Sequence, residues 1–159
     1  MRTSALMILE DNPKKEFYKS RYESSGFFHS QIIALYLCTM ATLLTEQERH
    51  NLAMNIVGKD LESQGFEFLG VNSQLKRNPQ FVALKDKKLH FVIVRAVQYP
   101  ENPNTYDPVF MQEIKEHAAK FNASTFYAGV GLGSGSDYGK PVEKDSAYTQ
   151  IYNGLQEIL

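Results

Sequence analysis

The stretch from Leu89 to Gln98 constrains the fold more than any other part of the sequence. It reads Leu-His-Phe-Val-Ile-Val-Arg-Ala-Val-Gln, and Arg95 is its one charged residue. A continuous run of β-branched and aromatic residues of this length is typical of a strand buried on both faces. We therefore predict the central strand of an α/β domain, with Arg95 as a buried guanidinium that needs a partner.

The residues before this strand predict one helix and two shorter strands. Thr45-Glu46-Gln47-Glu48 fits a capping box, which predicts a helix from there to about Gln64. Residues 66–71 and 80–85 have strand composition. The polar turn at residues 86–88 predicts an antiparallel hairpin between the second strand and the central strand.

The residues after the central strand predict a loop, a second helix and a fourth strand. Residues 99–108 contain three prolines and indicate an ordered loop. Asp107-Pro108 is a cap and first helical position for a helix that reaches about Asn122, with Phe121 on its buried face. Residues 124–131 predict the fourth strand, and the tail predicts a short edge strand, a turn and one helical turn.

A run of alternating glycines, Gly129, Gly131, Gly133 and Gly135, follows the start of the fourth strand. It does not open a helix as a dinucleotide fingerprint requires, and it lacks the spacing of a phosphate loop. We interpret it as a strand end followed by a flexible loop over residues 133–145.

The predicted order is α-β-β-β-α-β, in one domain over residues 40–159. Three antiparallel strands and a helical crossover to a parallel fourth strand predict an α/β (α+β) fold. Its sheet is mixed, with four to five strands and helices packed on it. Residues 1–39 form a leader with two open explanations, a native start at Met40 or a weak membrane anchor over residues 27–44. The uninterrupted apolar part of that anchor is shorter than the roughly 20 residues of a bilayer span.

Charge and cysteine content exclude several classes of site. The formal net charge is −1, so there is no strong nucleic-acid signal. Cys38 is the only cysteine, which excludes an intrachain disulfide, a Cys-rich zinc site and a four-Cys iron–sulfur cluster. The four histidines lack ligand spacing, and we expect neither a metal site nor a cofactor.

The element order resembles the core of the restriction-endonuclease-like, PD-(D/E)XK, superfamily. That resemblance implies acids on the second and third strands that hold a divalent metal, which activates water against a phosphodiester. Ile93 stands where the resemblance implies an acid, and Arg95 stands where it implies the lysine. The second strand has no Asp, so a degenerate nuclease-like fold without a catalytic centre is expected, and a metal-dependent nuclease is an alternative.

The most site-like region is the loop at the end of the central strand, since ligands of α/β folds often bind at strand ends. Arg95 has two open interpretations, a structural ion pair with Glu62, Glu101 or Asp107, or an anion-binding side chain. The loop itself is either a binding element or a proline-stiffened connection. The candidate ligand-binding residues are Arg95, Tyr99, Glu101, Asn102, Tyr106 and Asp107.

Four segments carry a second resemblance: residues 52–62, 78–82, 94–103 and 127–132. From about Leu44 onward the chain resembles small bacterial proteins that are commonly labelled as the F component of the sodium-translocating NADH:quinone reductase. The label implies an oxidoreductase role. The full-length F component has a membrane helix, a Cys-ligated [2Fe–2S] domain, and FAD- and NADH-binding domains, and no residue of those sites has a counterpart in this chain.

These observations predict a small soluble, cytoplasmic binding or accessory protein without a catalytic centre. Its partner would be an unknown protein or a small anionic ligand, and membrane contact would occur only through the leader. The alternatives are an accessory role in NADH:quinone oxidoreduction, through a membrane complex or a noncovalent flavin, and the metal-dependent nuclease.

Overall fold

Residues 42–159, which the computed structural model describes, form a six-stranded mixed sheet with one helix against each face. The predictions for residues 1–39 and Met40 lie outside the described residues. The elements in chain order are α1 (Glu46–Ser63), β1 (Glu67–Val71), β2 (Phe81–Lys85), β3 (Lys88–Gln98), α2 (Pro108–Ala119), β4 (Ala123–Ser134), β5 (Tyr148–Tyr152) and β6 (Gln156–Glu157).

The strand order across the sheet is β1-β2-β3-β4-β5, and β6 also pairs with β4. The β1–β2 and β2–β3 pairs are antiparallel, as predicted for the hairpin. β3 and β4 are parallel and paired from Leu89↔Ala123 to Gln98↔Leu132, as the helical crossover predicts. The α/β (α+β) class and the element order are therefore confirmed, and the sheet has six strands instead of four or five.

α1 begins at the predicted capping box. The Thr45 hydroxyl accepts a hydrogen bond from the Glu48 amide at 3.2 Å, and the Glu48 carboxylate accepts one from the Thr45 amide at 2.8 Å. Lys144 donates to the other Glu48 oxygen at 3.0 Å. These bonds favour the charged carboxylate, and the bond from the Thr45 backbone is the largest cause that lowers the pKa of Glu48 to about 2.

We expect Glu48 to make the protein sensitive to acid. Because its pKa falls on folding, its contribution is fully present above about pH 4.5 and is lost as the pH falls toward 2. Glu48→Gln should therefore destabilise the protein near neutral pH, and the difference from wild type should shrink below pH 4.5. Urea unfolding between pH 2 and 7 measures this. Glu46→Gln, on the same helical turn, is the control, and an equal pH dependence in both variants would contradict the expectation.

α2 begins as predicted and ends earlier. The Asp107 carboxylate accepts hydrogen bonds from the amides of Val109 and Phe110, with Pro108 in the first turn. The helix ends at Ala119 instead of Asn122. The side chain of Phe121, predicted to be buried, is 55% exposed, because it lies past the last helical turn.

Side chains alternate between two apolar clusters, one on each face of the sheet. The larger cluster packs α1 residues such as Val57 and Leu61 against Val92 and Val94 of β3. The smaller cluster joins Ile93 of β3, Met111 of α2 and Tyr127 of β4, with Tyr106, Phe110 and Ile114 packed around it. The predicted burial of β3 on both faces is confirmed from His90 to Val94.

The glycine run lies mostly inside β4, so the predicted strand end was placed too early. β4 continues to Ser134, and its glycines face segments that approach the sheet closely. A Cβ at Gly129 would overlap the carbonyl oxygen of Pro103, and one at Gly133 would lie 2.6 Å from the Cα of Tyr138. The loop after β4 is held in place, since Val142 is 2% exposed and the Gly135 amide donates to the Ala147 carbonyl oxygen.

The chain tail also differs from the prediction. β5 forms as the predicted short edge strand, and Asn153-Gly154 turns the chain, with Gly154 at φ +86°. The predicted helical turn is wrong: residues 156–157 form β6 and pair with Phe126 and Tyr127 of β4. Backbone pairing with the open edge of β4 prevails over the helical spacing of the apolar residues.

Within residues 42–159, no helix is both long and apolar enough to cross a membrane.

Candidate functional site

The C-terminal half of β3 has one edge that no strand covers in the described part of the chain. Pairing with β2 ends at Phe81↔Val92, although β3 continues to Gln98. Beyond that register Gln80 takes the place of a strand. Its amide donates to the Val92 carbonyl oxygen at 3.1 Å, and its side-chain oxygen accepts a hydrogen bond from the Val94 amide at 2.9 Å.

A cleft of about 610 Å³ runs along this open edge. All six residues from Ile93 to Gln98 line it. Consecutive side chains of a strand point to opposite faces of the sheet, so a cavity on one face would touch only every second residue. The cleft therefore follows the edge of the strand itself and opens toward both faces.

One wall of the cleft comes from α1 and the loop before β2. Glu46, Arg49 and His50 lie on the first turns of α1, and the loop adds Leu75, Lys76 and Asn78. Arg49 is held in place, because its Nη1 donates to the Leu44 carbonyl oxygen at 2.8 Å.

His50 in this wall is a buried imidazole with an unpaired nitrogen. The residue is 3% exposed, and its Nε2 has no hydrogen-bond partner in residues 42–159. Burial lowers the pKa of His50, which keeps the ring neutral at pH 7. Buried polar atoms are nearly always paired with protein or ordered water, and His90 Nδ1, Thr125 Oγ1 and the Tyr138 hydroxyl are likewise unpaired among the described residues.

The opposite wall comes from the loop after β3. Arg95 Nη2 lies 3.4 Å from Glu101 Oε2, and the two side chains are 52% and 61% exposed. An ion pair in such an exposed setting contributes at most about 1 kcal/mol. Of the three alternative partners predicted for Arg95, Glu62, Asp107 and Glu101, the structure shows Glu101. The predicted burial of Arg95 is wrong, because no strand of residues 42–159 covers β3 on this edge.

The cleft floor on the α2 side is aromatic and apolar. Tyr127 is 3% exposed, and its hydroxyl donates to the Thr105 carbonyl oxygen at 3.2 Å. Burial raises the pKa of Tyr127, so the phenol stays protonated and its hydroxyl continues to donate to Thr105 in the loop. The Tyr106 ring lies 5.2 Å from the Tyr127 ring, centre to centre. These contacts and the close approach of Pro103 to Gly129 hold the loop over β4.

The structure brings together five of the six predicted site residues. Arg95, Tyr99, Glu101, Tyr106 and Asp107 all line the cleft. Asn102 does not: its side chain accepts from the Asn104 amide at 2.9 Å and its carbonyl oxygen from the Thr105 amide at 3.1 Å, which shapes the loop.

Sequence reasoning missed the α1 side of the cleft. Arg49 and His50 are distant in the sequence from β3, and Gln80 looks like the first residue of a strand. The polar segment 72–78 with Lys76 is the only local signal, and it identifies a loop without placing it beside Arg95.

Metal-binding side chains do not assemble here. Among residues 42–159, His, Cys, Asp and Glu form no group of three that could hold a metal ion. At the β3 positions where the nuclease resemblance implies an acid and a lysine, the cleft presents Ile93 and Arg95.

The comparisons with known proteins give one family. A family model described as "Domain of unknown function (DUF8840)" matches residues 47–158, which include every lining residue of the cleft except Glu46. A comparison with curated proteins gives no match.

Proposed function

The chain belongs to the DUF8840 family, a domain of unknown function, and from the cleft beside β3 we propose that it is a non-catalytic binding protein in which Arg95 holds an anionic group. The observation that carries this proposal is the half-exposed guanidinium of Arg95 in the cleft. A guanidinium has five N–H donors in a planar fork that matches carboxylate and phosphate. Within the described residues, one long hydrogen bond to Glu101 uses one of those donors.

The shape and charge of the cleft limit the ligand. Its volume is within the range of sites for small molecules or a few residues of a peptide. Three cationic residues line it, Arg49, Lys76 and Arg95, and three acidic residues, Glu46, Glu101 and Asp107, balance them. A polyanion such as nucleic acid needs a clear excess of positive charge, so this balance favours a ligand with one or few negative charges.

The fold supports a binding role without hydrolysis. We infer a restriction-endonuclease-like core from the order α-β-β-β-α-β and the parallel β3–β4 pair. Ile93 and Arg95 stand at the positions of the acid and lysine that such a core uses to hold a metal, and an aliphatic side chain cannot ligate one. We expect no divalent-ion-dependent cleavage of DNA or RNA. Cleavage would support the nuclease alternative, and a flavin absorbance spectrum would support the NADH:quinone alternative.

We expect Arg95→Met to weaken anion binding at least tenfold, because it removes both the charge and the donors. Titration of the ¹⁵N-labelled full chain with citrate and with inorganic phosphate, followed by NMR, measures the affinity and locates the site. Arg95→Lys should lose part of the affinity, since it keeps the charge without the planar fork.

Arg77→Met is the matched control, because Arg77 is an exposed arginine outside the cleft lining. Its affinities should stay within twofold of wild type. Equal binding by wild type and Arg95→Met, or shifts confined to residues outside the cleft, would refute the proposed function.

A further inference from the structure

We infer that the anionic group is a carboxylate carried by an extended peptide of a partner protein, and that this peptide pairs with the open edge of β3 as an added antiparallel strand. The inference rests on the proposed function and names its ligand class. An extended peptide added to an exposed sheet edge obtains affinity from main-chain hydrogen bonds and specificity from alternate side chains.

The backbone of β3 offers the required hydrogen-bonding groups. The Val94 amide points toward the β2 side, as its bond to Gln80 shows. Residues two apart along a strand present their backbone groups to the same edge, so Ala96 and Gln98 face the cleft as well. The Gln98 carbonyl oxygen accepts from the Glu101 amide at 2.9 Å. Because pairing with β2 ends at Val92, no strand of residues 42–159 pairs with Ala96 on this edge.

The edge lies between the two walls of the cleft. Proteins usually protect an open edge with proline, charge, a bulge or a covering segment. Here α1 and the loop before β2 form one wall of the cleft, and the loop after β3 forms the other. The two walls therefore flank the place where an added strand would pair with β3.

The side chains along the edge define the sequence of the peptide. A residue directly opposite Arg95 in an antiparallel pair lies about 5 Å away between Cβ atoms and points to the same face. An Asp or Glu at that position can take the place of Glu101 on the guanidinium. Gln80 occupies the position opposite Ile93. Two residues along in the other direction, the peptide faces Val97, an apolar residue of the cleft lining on the same face of β3 as Arg95. The expected pattern is an acidic residue and an apolar residue separated by one position.

The other face of this edge meets the α1 wall. Glu46, Arg49 and His50 belong to that wall, which the intervening side chain of the peptide would face. The equal numbers of positive and negative lining residues also suit a peptide with a single carboxylate better than a nucleic acid.

The test begins with selection of random heptapeptides on the immobilised full chain. Arg95→Met is used for counter-selection. Enriched peptides should contain the acidic and apolar residues at the expected spacing, and Arg95→Met should weaken their affinity at least tenfold by fluorescence anisotropy. Failure to enrich any peptide that depends on Arg95 would overturn the inference.

Methylation of single peptide amides then tests strand pairing without any change to the protein. Because every second amide of an added strand points at β3, N-methylation should lower affinity at least tenfold at alternate positions and less than twofold between them. Equal sensitivity at all positions would overturn the inference. So would displacement of the peptide by a twelve-nucleotide single-stranded DNA at equal concentration, or self-association of the chain that competes with the peptide in sedimentation.

The two proposals fail in different ways. If citrate binding still depends on Arg95 while methylation shows no alternation, the peptide inference is wrong and the anion-binding function stands. If neither citrate nor peptide binding depends on Arg95, both are wrong.

Discussion

Gly129→Ala should lower the free energy of unfolding by about 3 kcal/mol, at the upper end of the usual cost of overpacking. A Cβ at this position would overlap the carbonyl oxygen of Pro103, and it would lie 2.7 Å from the Pro103 carbonyl carbon and 2.9 Å from Tyr127 Cε1. Backbone cannot move aside as the end of a flexible side chain can. The loop over residues 99–107 must therefore leave β4, and anion binding should weaken with it. Urea unfolding and the citrate titration measure the two effects.

Gly70→Ala is the matched control for this substitution. Gly70 also lies in a strand, and a Cβ there would meet only Val82 Cβ at 3.8 Å, an ordinary contact. We expect its free energy of unfolding to stay within about 1 kcal/mol of wild type, the scale of strand propensities. A similar loss in both variants would show that the close approach of Pro103 to β4 does not determine the effect.

Gln80→Ala should destabilise the protein by about 3 kcal/mol, since each buried group that loses its partner costs about 1–3 kcal/mol. Gln80 is 2% exposed, and its side chain accepts from the Val94 amide at 2.9 Å. The side-chain nitrogen of Gln80, Nε2, donates to the Asn78 side chain at 2.8 Å and to the Arg77 carbonyl oxygen at 3.0 Å. The substitution leaves the Val94 amide unpaired and releases the loop that forms one wall of the cleft.

Hydrogen exchange and urea unfolding together measure the role of Gln80. The Val94 amide should exchange much faster in Gln80→Ala, while amides in the β3–β4 ladder should change only with global stability. Gln74→Ala, in the exposed part of the same loop, should change neither quantity. Unchanged protection of the Val94 amide in Gln80→Ala would contradict the role given to this side chain.

The contacts of Gly129 and Gln80 show why the sequence predicted only part of the cleft. The loop after β3 could be found from its prolines and polar residues, because these are local signals. The close approach of Pro103 to Gly129 depends on a glycine 26 positions later that faces the loop only because β3 and β4 are in register. In the sequence, Gln80 looks like the first residue of a strand. Its side chain reaches the Val94 amide only because β2 stops pairing with β3 at Val92.

Local patterns gave the correct elements wherever neighbours in sequence also make the contacts. The capping box at Thr45 and the Asp107 cap form as predicted, because each is closed by bonds within a few residues. The turn predicted at residues 86–88 forms at residues 86–87, and Lys88 is the first residue of β3. Predictions failed where a distant partner decided the outcome. The tail became β6 because β4 offered an unpaired edge, and β4 ran on through its glycines because the loops packed against them.

The sequence by itself determined the α/β class and the order of the first six elements, since periodicity and caps are local properties of the chain, and it left three partners open for Arg95. Only the tertiary structure decided that Glu101 pairs with Arg95, that the second half of β3 has an open edge and that His50 and Arg49 line the same cleft as Arg95. The physical reason is that an open edge is a property of a pair of strands: it exists because β2 stops pairing at Val92 while β3 continues to Gln98.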